Sequence, residues 1–283
     1  MLLKDYRKEF TLNLEPLFDK MEIESFFFII LEHLHQMKRV DLALQPDLEL
    51  TEDKLQNWNA ILIQLKKEKP IQYIIGETEF YGLRFLVNEN TLIPRPETEE
   101  LVLWIIESQN KSSQEIAILD IGTGSGCIPI SLKKNISNAK VVAIDVSTDA
   151  LAVAKKNAIL NQTAIHFIHK DILQTETLDA RYDIIVSNPP YVRHLEKEEI
   201  KKNVLDYEPH MALFVEDTDA LLFYRKIAQL ALKSLNTNGY VFFEINQYLG
   251  LETVQLLEKL GFINIELKKD IYGNDRMIRC SLP

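Results

Sequence analysis

Residues 118–127 read ILDIGTGSGC, a short apolar run carrying one acid and then glycine at positions 122, 124 and 126. The apolar, β-branched run predicts a buried strand and the following GCIPISLKKN predicts a helix, so the glycines sit where one turns directly into the other. Without side chains the backbone there turns tightly and comes close to a ligand, while the first amides of the helix point into the same crevice. The alternation continues through KVVAIDV, TDALAVAKKNAIL, AIHFIHK and YDIIVSN. Short apolar strands joined through helices predict an α/β fold, an open Rossmann-like sheet with buried parallel strands. Further on come the helix DALLFYRKIAQLALKSL, the strand YVFFEIN, the helix LGLETVQLLEKL, and the strands FINIELKK and RMIRCSL, which suit an antiparallel edge.

The loop spacing is G-x-G-x-G. A pyrophosphate-binding fingerprint wants glycine or alanine at position 127, where this chain has Cys127, so the loop favours S-adenosylmethionine over a dinucleotide. Gly122, Thr123, Gly124, Ser125 and Gly126 form the expected cofactor loop. Asp145 ends the next strand, where a carboxylate accepts hydrogen bonds from both hydroxyls of a ribose. Asp120 is expected to orient the loop or meet a methionine amino group, and Ile172, after Asp171, to line an adenine pocket. A tight strand-to-helix turn with an aspartate capping the helix near Ser147 would produce the same pattern, so these signals count only in combination.

Asn188-Pro189-Pro190-Tyr191 closes the strand YDIIVSN, at the edge where open α/β sheets bind their ligands. Consecutive prolines have no amide hydrogens and a fixed φ, which holds their carbonyls rigidly and frees them from local pairing. An amide or aromatic amino nitrogen is a poor nucleophile because its lone pair is delocalised. Two acceptors on its hydrogens orient it and stabilise the positive charge that develops during attack. The Asn188 side chain and the Pro189 carbonyl are the expected acceptors, with Tyr191 walling in the planar group and no strong base required. From these residues alone, an amide nitrogen, adenine N6 and cytosine N4 are equally admissible.

Outward from this core, residues 1–75 predict a small helical domain. Ile23, Phe26, Phe27, Ile30, Leu31 and Leu34 form one apolar stripe and Leu55, Trp58, Ile61, Leu62 and Leu65 another, punctuated by Pro16, Pro46 and Pro70. Residues 76–95 alternate and are rich in aromatics, with turns expected at Tyr81-Gly82 and at residues 88–90, which predicts a β-hairpin linker. PRPETEELVLWIIESQN then opens a second domain, residues 96–283, with prolines and acids at a helix start.

The formal charge of −10 provides no field to gather a phosphate backbone, so no direct nucleic-acid substrate is expected. The 46% hydrophobic and 26% charged composition is that of a globular chain. Cys127 and Cys280 form no CxxC pair, which fits a reducing cytoplasm. No signal peptide or membrane span is expected. His33 and His35 face different sides of a helix and His166 and His169 lack acidic neighbours, so no metal is predicted. Lys197–Lys202 reads as a solvated helix face.

Beyond ILDIGTGSGC and IIVSNPPY, the chain carries PIQYIIGETEFYGLRFLVNENTLIPRPETEELV, YEPHMALF, FYRKIAQLA, FFEINQ and KDIYGNDRMI. With these segments it resembles, over nearly its full length, the protein-(glutamine-N5) methyltransferases of peptide chain release factors, the HemK/PrmC family. The resemblance implies a helical N-terminal substrate-docking domain, a hairpin and a seven-stranded class I S-adenosylmethionine-dependent methyltransferase domain. It implies as substrate the glutamine of the Gly-Gly-Gln motif of class I release factors, methylated on its side-chain nitrogen, with S-adenosylhomocysteine as the other product. By motif position, Gly122–Gly126, Asp145, Ile172 and Asn188 would contact the cofactor and Asn188–Tyr191 the glutamine, with Arg95, Glu97 and Thr98 beside the site. Asn246 departs from the small residue expected in FFEINQ. A ribosomal-protein glutamine methyltransferase and a DNA or RNA amino-methyltransferase share the core motifs and are the alternatives.

Overall fold

Apolar residues three and four apart turn the first part of the chain into helices that bury one face each. The computed structural model describes residues 1–109 and 114–283. Helix α1 (Leu3–Leu14) buries Leu3, Tyr6, Phe10 and Leu14. Helix α2 (Lys20–His35) buries Ile23, Phe27, Ile30 and Leu31, and begins at Asp19, whose carboxylate accepts the Glu22 N–H. After the short α3 (Arg39–Leu44), α4 (Glu52–Leu65) presents Trp58, Ile61 and Leu65, and Pro70 leads into α5 (Ile71–Ile75). Phe26, Leu34, Leu55 and Leu62, from the same stripes, are partly buried at the margin of this core.

Trp58 is fully buried at its centre. The rings of Tyr6, Phe10 and Phe27 surround it with centroids at 5.5, 5.9 and 5.0 Å, and its indole N–H donates to His35 Nε2 at 2.9 Å. His35 is therefore a structural acceptor, and burial lowers its pKa, keeping the ring neutral for that role. This unit comprises Met1–Gly76 together with Lys201–Tyr207. Lys202 Nζ reaches Glu68 at 3.0 Å and the Tyr207 hydroxyl donates to the Lys67 carbonyl at 2.9 Å. The expected solvated helix at 197–202 is thus divided. His194–Glu199 form a 3-10 turn, while Lys201 and Lys202 belong with the acids of the helical unit.

The second unit comprises Glu77–Ile200 and Glu208–Pro283. It opens with the antiparallel hairpin β1 (Glu77–Phe80) and β2 (Leu83–Leu86). Tyr81 and Gly82 between them both have positive φ, 51° and 70°, as a tight hairpin turn of the matching twist requires. Where a linker is expected, the hairpin is part of this second unit: Leu86 exchanges two hydrogen bonds with the Asn157 side chain, at 2.7 and 2.9 Å.

Helix α6 (Pro96–Ser108) starts behind Arg95. Asn110, the last residue of the expected helical run, lies outside the described residues. Then β3 (Ile116–Ile121), α7 (Cys127–Asn135), β4 (Ala139–Asp145), α8 (Thr148–Leu160), β5 (His166–His169) and β6 (Tyr182–Ser187) alternate as their patterns predict. A run of short pieces follows: β7 (Val192–Arg193), the 3-10 turn, α9 (Lys202–Tyr207) in the helical unit, α10 (His210–Leu213) and β8 (Phe214–Val215), which pairs with β7. The chain ends through α11 (Leu222–Ser234), β9 (Leu235–Glu244), α12 (Gly250–Lys259), β10 (Ile263–Lys269) and β11 (Asp275–Ser281).

The seven strands lie in the order β10-β11-β9-β6-β3-β4-β5. All pairs are parallel except those made by β11, which runs antiparallel to both neighbours. This is the class I methyltransferase arrangement. Successive β3 residues serve opposite faces, Ile118 packing in one apolar layer and Leu119 in the other, so the strand is buried on both sides. The chain runs outward one way from β3 through β4 and β5, then returns to β6 on the other side. The carboxyl ends of β3 and β6 therefore flank the switch point at which open sheets leave a crevice.

Trp58→Ala is expected to destabilise the helical unit by about 3–5 kcal/mol, the cost of a large cavity plus a stranded His35 acceptor. Denaturant titration followed by circular dichroism measures it.

Candidate functional site

The loop after β3 is pinned before it is shaped. The N–H groups of Gly122 and Thr123 donate to the Ile144 carbonyl at 2.9 and 3.0 Å, continuing the β3–β4 pairing into the turn. Gly122, Gly124 and Gly126 have φ of 78°, 54° and 82°, where a Cβ is strained. Their surroundings differ. A Cβ on Gly126 would lie 3.1 Å from Ile130 and 3.2 Å from Ala154, so this glycine lets α7 and α8 approach; a Cβ on Gly124 would meet nothing within 4 Å. Open space over Gly124 is what a ligand-facing loop needs.

Asp145, at the end of β4, accepts the Gly124 N–H at 2.8 Å and the Ser147 N–H at 2.9 Å, bracing the loop and the start of α8. Burial raises its pKa, and these N–H donors oppose the rise. The Ser125 carbonyl accepts from Asn157 at 2.9 Å, so the side chain that holds the hairpin also holds the loop. Asp120 is completely buried, and neither of its oxygens nor the Thr123 hydroxyl has a partner. Burial pushes its carboxyl up to about 7, opposed by the nearby Thr123 hydroxyl, which lies close without meeting hydrogen-bond geometry, and aided by the charge of Asp145. Unpaired buried polar atoms are costly, and these are the atoms that a bound cation and its neighbours would satisfy. Ile172 is buried beside Leu119 and Ile144, whereas the Asp171 carboxylate accepts the Leu173 N–H at 2.8 Å within its own turn.

The Asn188–Tyr191 turn lies against this loop: a Cβ on Gly122 would sit 4.0 Å from the Asn188 carbonyl oxygen. Ser187, just before it, donates from its hydroxyl to the Ile121 carbonyl at 2.6 Å and locks the two strand ends together. The Asn188 side-chain N–H donates to the Thr98 hydroxyl oxygen at 3.2 Å, and that hydroxyl donates to Glu244 Oε2 at 2.6 Å. The Tyr191 hydroxyl donates to Glu244 Oε1 at 3.1 Å. Burial raises the Glu244 pKa, opposed first by the Thr98 bond and then by the Arg276 charge. Burial also drives the Tyr191 phenol up, aided by Glu244, so the phenol stays protonated and remains a donor.

Sequence reasoning missed Glu244, although its signal is visible: an acid inside the apolar run YVFFEIN has to find donors. Glu208 was missed likewise. It is buried, accepts the Ile93 N–H at 3.0 Å and pairs with Arg95 at 2.6 Å, joining the YEPH and PRPETE segments. Asn246, the departure in FFEINQ, donates to the Tyr191 carbonyl at 2.9 Å and to Glu196 Oε2 at 2.8 Å, so its amide fixes the end of the turn. Cys127 is buried, with its thiol pushed up to about 12, and is no nucleophile at neutral pH. Among the described residues no group of His, Cys, Asp and Glu is arranged to hold a metal ion, and no helix is long and apolar enough to cross a membrane.

The chain matches the family model of the methyltransferase small domain over residues 100–210 and that of the PrmC N-terminal domain over residues 24–76. It is 66% identical to a release factor glutamine methyltransferase of Flavobacterium psychrophilum over 99% of both chains. A release factor glutamine methyltransferase of Bacteroides thetaiotaomicron is 41% identical over 94% of this chain and 95% of the relative. Among solved structures, a methyltransferase from Pyrococcus furiosus shares the fold at 18% identity, with a TM-score of 0.52 over 79% of this chain and 97% of the other.

The state of Asp120 sets a pH dependence. A free aspartate releases its proton near 3.8, whereas the folded one holds it to about 7. Between those values the folded state binds more protons, so the ligand-free protein loses stability as pH rises. Asp120→Asn is expected to remove that loss, and its melting temperature is expected to exceed that of the wild type by more at pH 8 than at pH 5.

Proposed function

This chain belongs to the release factor glutamine methyltransferase family, and we infer from that premise that it methylates the side-chain nitrogen of a release-factor glutamine with S-adenosylmethionine as methyl donor. We place that glutamine in the Gly-Gly-Gln motif of class I factors. The observation that carries the reading is the approach of two strand ends: the open glycine loop after β3 and the acceptor-rich turn after β6 meet at Gly122 and Asn188. One holds a donor and the other holds an acceptor nitrogen.

S-adenosylmethionine, when bound, supplies an electrophilic methyl group on a sulfonium, with a neutral thioether as leaving group. Gly122, Thr123, Gly124, Ser125 and Gly126 would cradle it, and the unpaired oxygens of Asp120 and Thr123 suit its ammonium and neighbouring groups. Asp145 would accept from the ribose hydroxyls and Ile172 would pack against the adenine. At the turn, Asn188 Oδ1 and the Pro189 carbonyl would take the two hydrogens of the glutamine amide, with Pro190 holding the turn rigid and Tyr191 forming the wall. The carbonyls orient the nitrogen for in-line attack and stabilise the positive charge as its lone pair is withdrawn from the amide. One proton then leaves the nitrogen for solvent. No metal enters this scheme.

The helical unit is a natural docking module for a macromolecular substrate, since binding energy far from the reacting atoms serves to position them. A net charge of −10 suits a protein partner better than a phosphate backbone. The two buried, unpaired cysteines fit a cytoplasmic enzyme.

Incubation with S-adenosylmethionine and a purified class I release factor is expected to add one methyl group, ~14 Da, to the peptide containing Gly-Gly-Gln. Asn188→Ala is expected to slow that reaction by about 100-fold, the usual cost of one preorganised polar contact. Mass spectrometry of the digested factor reads both. Methylation of a ribosomal protein or of DNA, with the factor untouched, would overturn the assignment.

A further inference from the structure

A side-chain amide can present either its oxygen or its nitrogen, and a turn that binds an N–H2 group works only if the oxygen faces it. In this protein a chain of hydrogen bonds leads from the Asn188 amide to a buried carboxylate. Glu244 is 1% exposed at the end of β9, and each of its oxygens receives one hydroxyl, Thr98 at 2.6 Å and Tyr191 at 3.1 Å. An ionised carboxylate only accepts, so the Thr98 proton is committed to Glu244. The Thr98 oxygen can then only accept from Asn188, which turns Nδ2 toward Thr98 at 3.2 Å. Oδ1 is left on the other side of the amide.

We propose that Glu244 is a positioning residue that sets the polarity of the Asn188 amide through the Thr98 hydroxyl, making Asn188 an obligate acceptor for the substrate nitrogen. This deepens the reading of Asn188 as part of the glutamine clamp and rests on it. The second oxygen of Glu244 gives the same carboxylate a hold on Tyr191, so both side chains of the clamp take their orientation from one buried charge. The charge is supported. Thr98 and Tyr191 donate to it, and Arg276, in ion-pair contact with Asp270 at 3.2 Å, acts on it electrostatically and opposes its protonation. Glu97 is the charge that works against it.

The relay makes a specific demand. In Glu244→Gln the side chain offers one acceptor where the carboxylate offered two; with its N–H2 toward Thr98, the Thr98 proton is released from this partner and is free to turn to Asn188. It then meets the N–H2 of Asn188, and the asparagine is driven to turn its oxygen toward Thr98 and its nitrogen toward the substrate. Replacing Asn188 by Asp in that background gives Thr98 an acceptor again and presents an oxygen to the substrate.

The experiment measures kcat and KM for methylation of a purified release factor, and the affinity for S-adenosylhomocysteine by calorimetry, in six variants. Glu244→Gln and Thr98→Val are each expected to lower kcat by about 100-fold while leaving the affinity for S-adenosylhomocysteine unchanged. Thr98→Ser, which keeps the hydroxyl, should retain most of the activity. The double variant Glu244→Gln/Asn188→Asp should be at least tenfold more active than either Glu244→Gln or Asn188→Asp alone. A purely structural carboxylate would show no such recovery, and a double variant no better than its parents overturns the relay. Should Glu244→Gln fail to fold, Thr98→Val decides: a wild-type kcat there also overturns it. Asn188→Ala in the same assay separates the two levels, since full activity in that variant sinks the clamp itself and not merely its orientation.

Discussion

A carboxylate removed from water has to be surrounded by donors, and in this protein the residues that meet that demand for Glu244 are those that shape the crevice. Glu244 stands at the carboxyl end of β9, next to the end of β6, where the chain turns through two prolines. Thr98 comes from the first turn of α6 and Tyr191 from the turn itself. Below them, the Tyr224 hydroxyl donates to the Glu244 backbone carbonyl at 3.3 Å from α11. Three elements that are remote in sequence are held to one point, and the ends of β6 and β9 cannot shift independently.

The glycine loop answers a second constraint of the same kind with the opposite outcome. Its backbone is tied down on every side by Ile144, Asp145 and Asn157. Asp120 and Thr123 are buried beneath it without partners. At Glu244 the fold satisfies its buried charge from within. At Asp120 it leaves the carboxyl without a partner, a cost that a positively charged ligand would remove. This contrast separates a buried acid whose partners the fold supplies, Glu244 at the carboxyl end of β9, from one it leaves unpaired, Asp120 on β3.

Several expectations from sequence failed or shifted for identifiable reasons. The hairpin read as a linker because a short two-stranded element has no local sign of what it packs on; Asn157, seventy-one positions from Leu86, determines that it belongs to the sheet unit. Lys197–Lys202 read as one helix face because charge alternation carries no information about which acids stand opposite. Lys202 pairs with Glu68 across 134 positions of sequence. Asn246, a local departure in FFEINQ, uses its amide to bridge Tyr191 and Glu196, which no neighbouring residue signals.

The sequence by itself determined the order and kind of the main strands and helices, the position of the glycine loop and of the Asn-Pro-Pro-Tyr turn at strand ends, and, through motif resemblance, the family. These are local properties: strand and helix periods, the positive φ that glycine permits, and the missing N–H of proline act within a few residues. Only the tertiary structure decided which acids serve those motifs. Thr98 meets Glu244 across 146 positions, Asn188 meets Thr98 across 90, and Glu208 meets Arg95 across 113. Such pairings follow from strand order and from the demand that buried charge be met by whatever donor the fold brings near. A buried acid in an apolar run signals that demand, but no period or spacing along the chain encodes which donor will meet it.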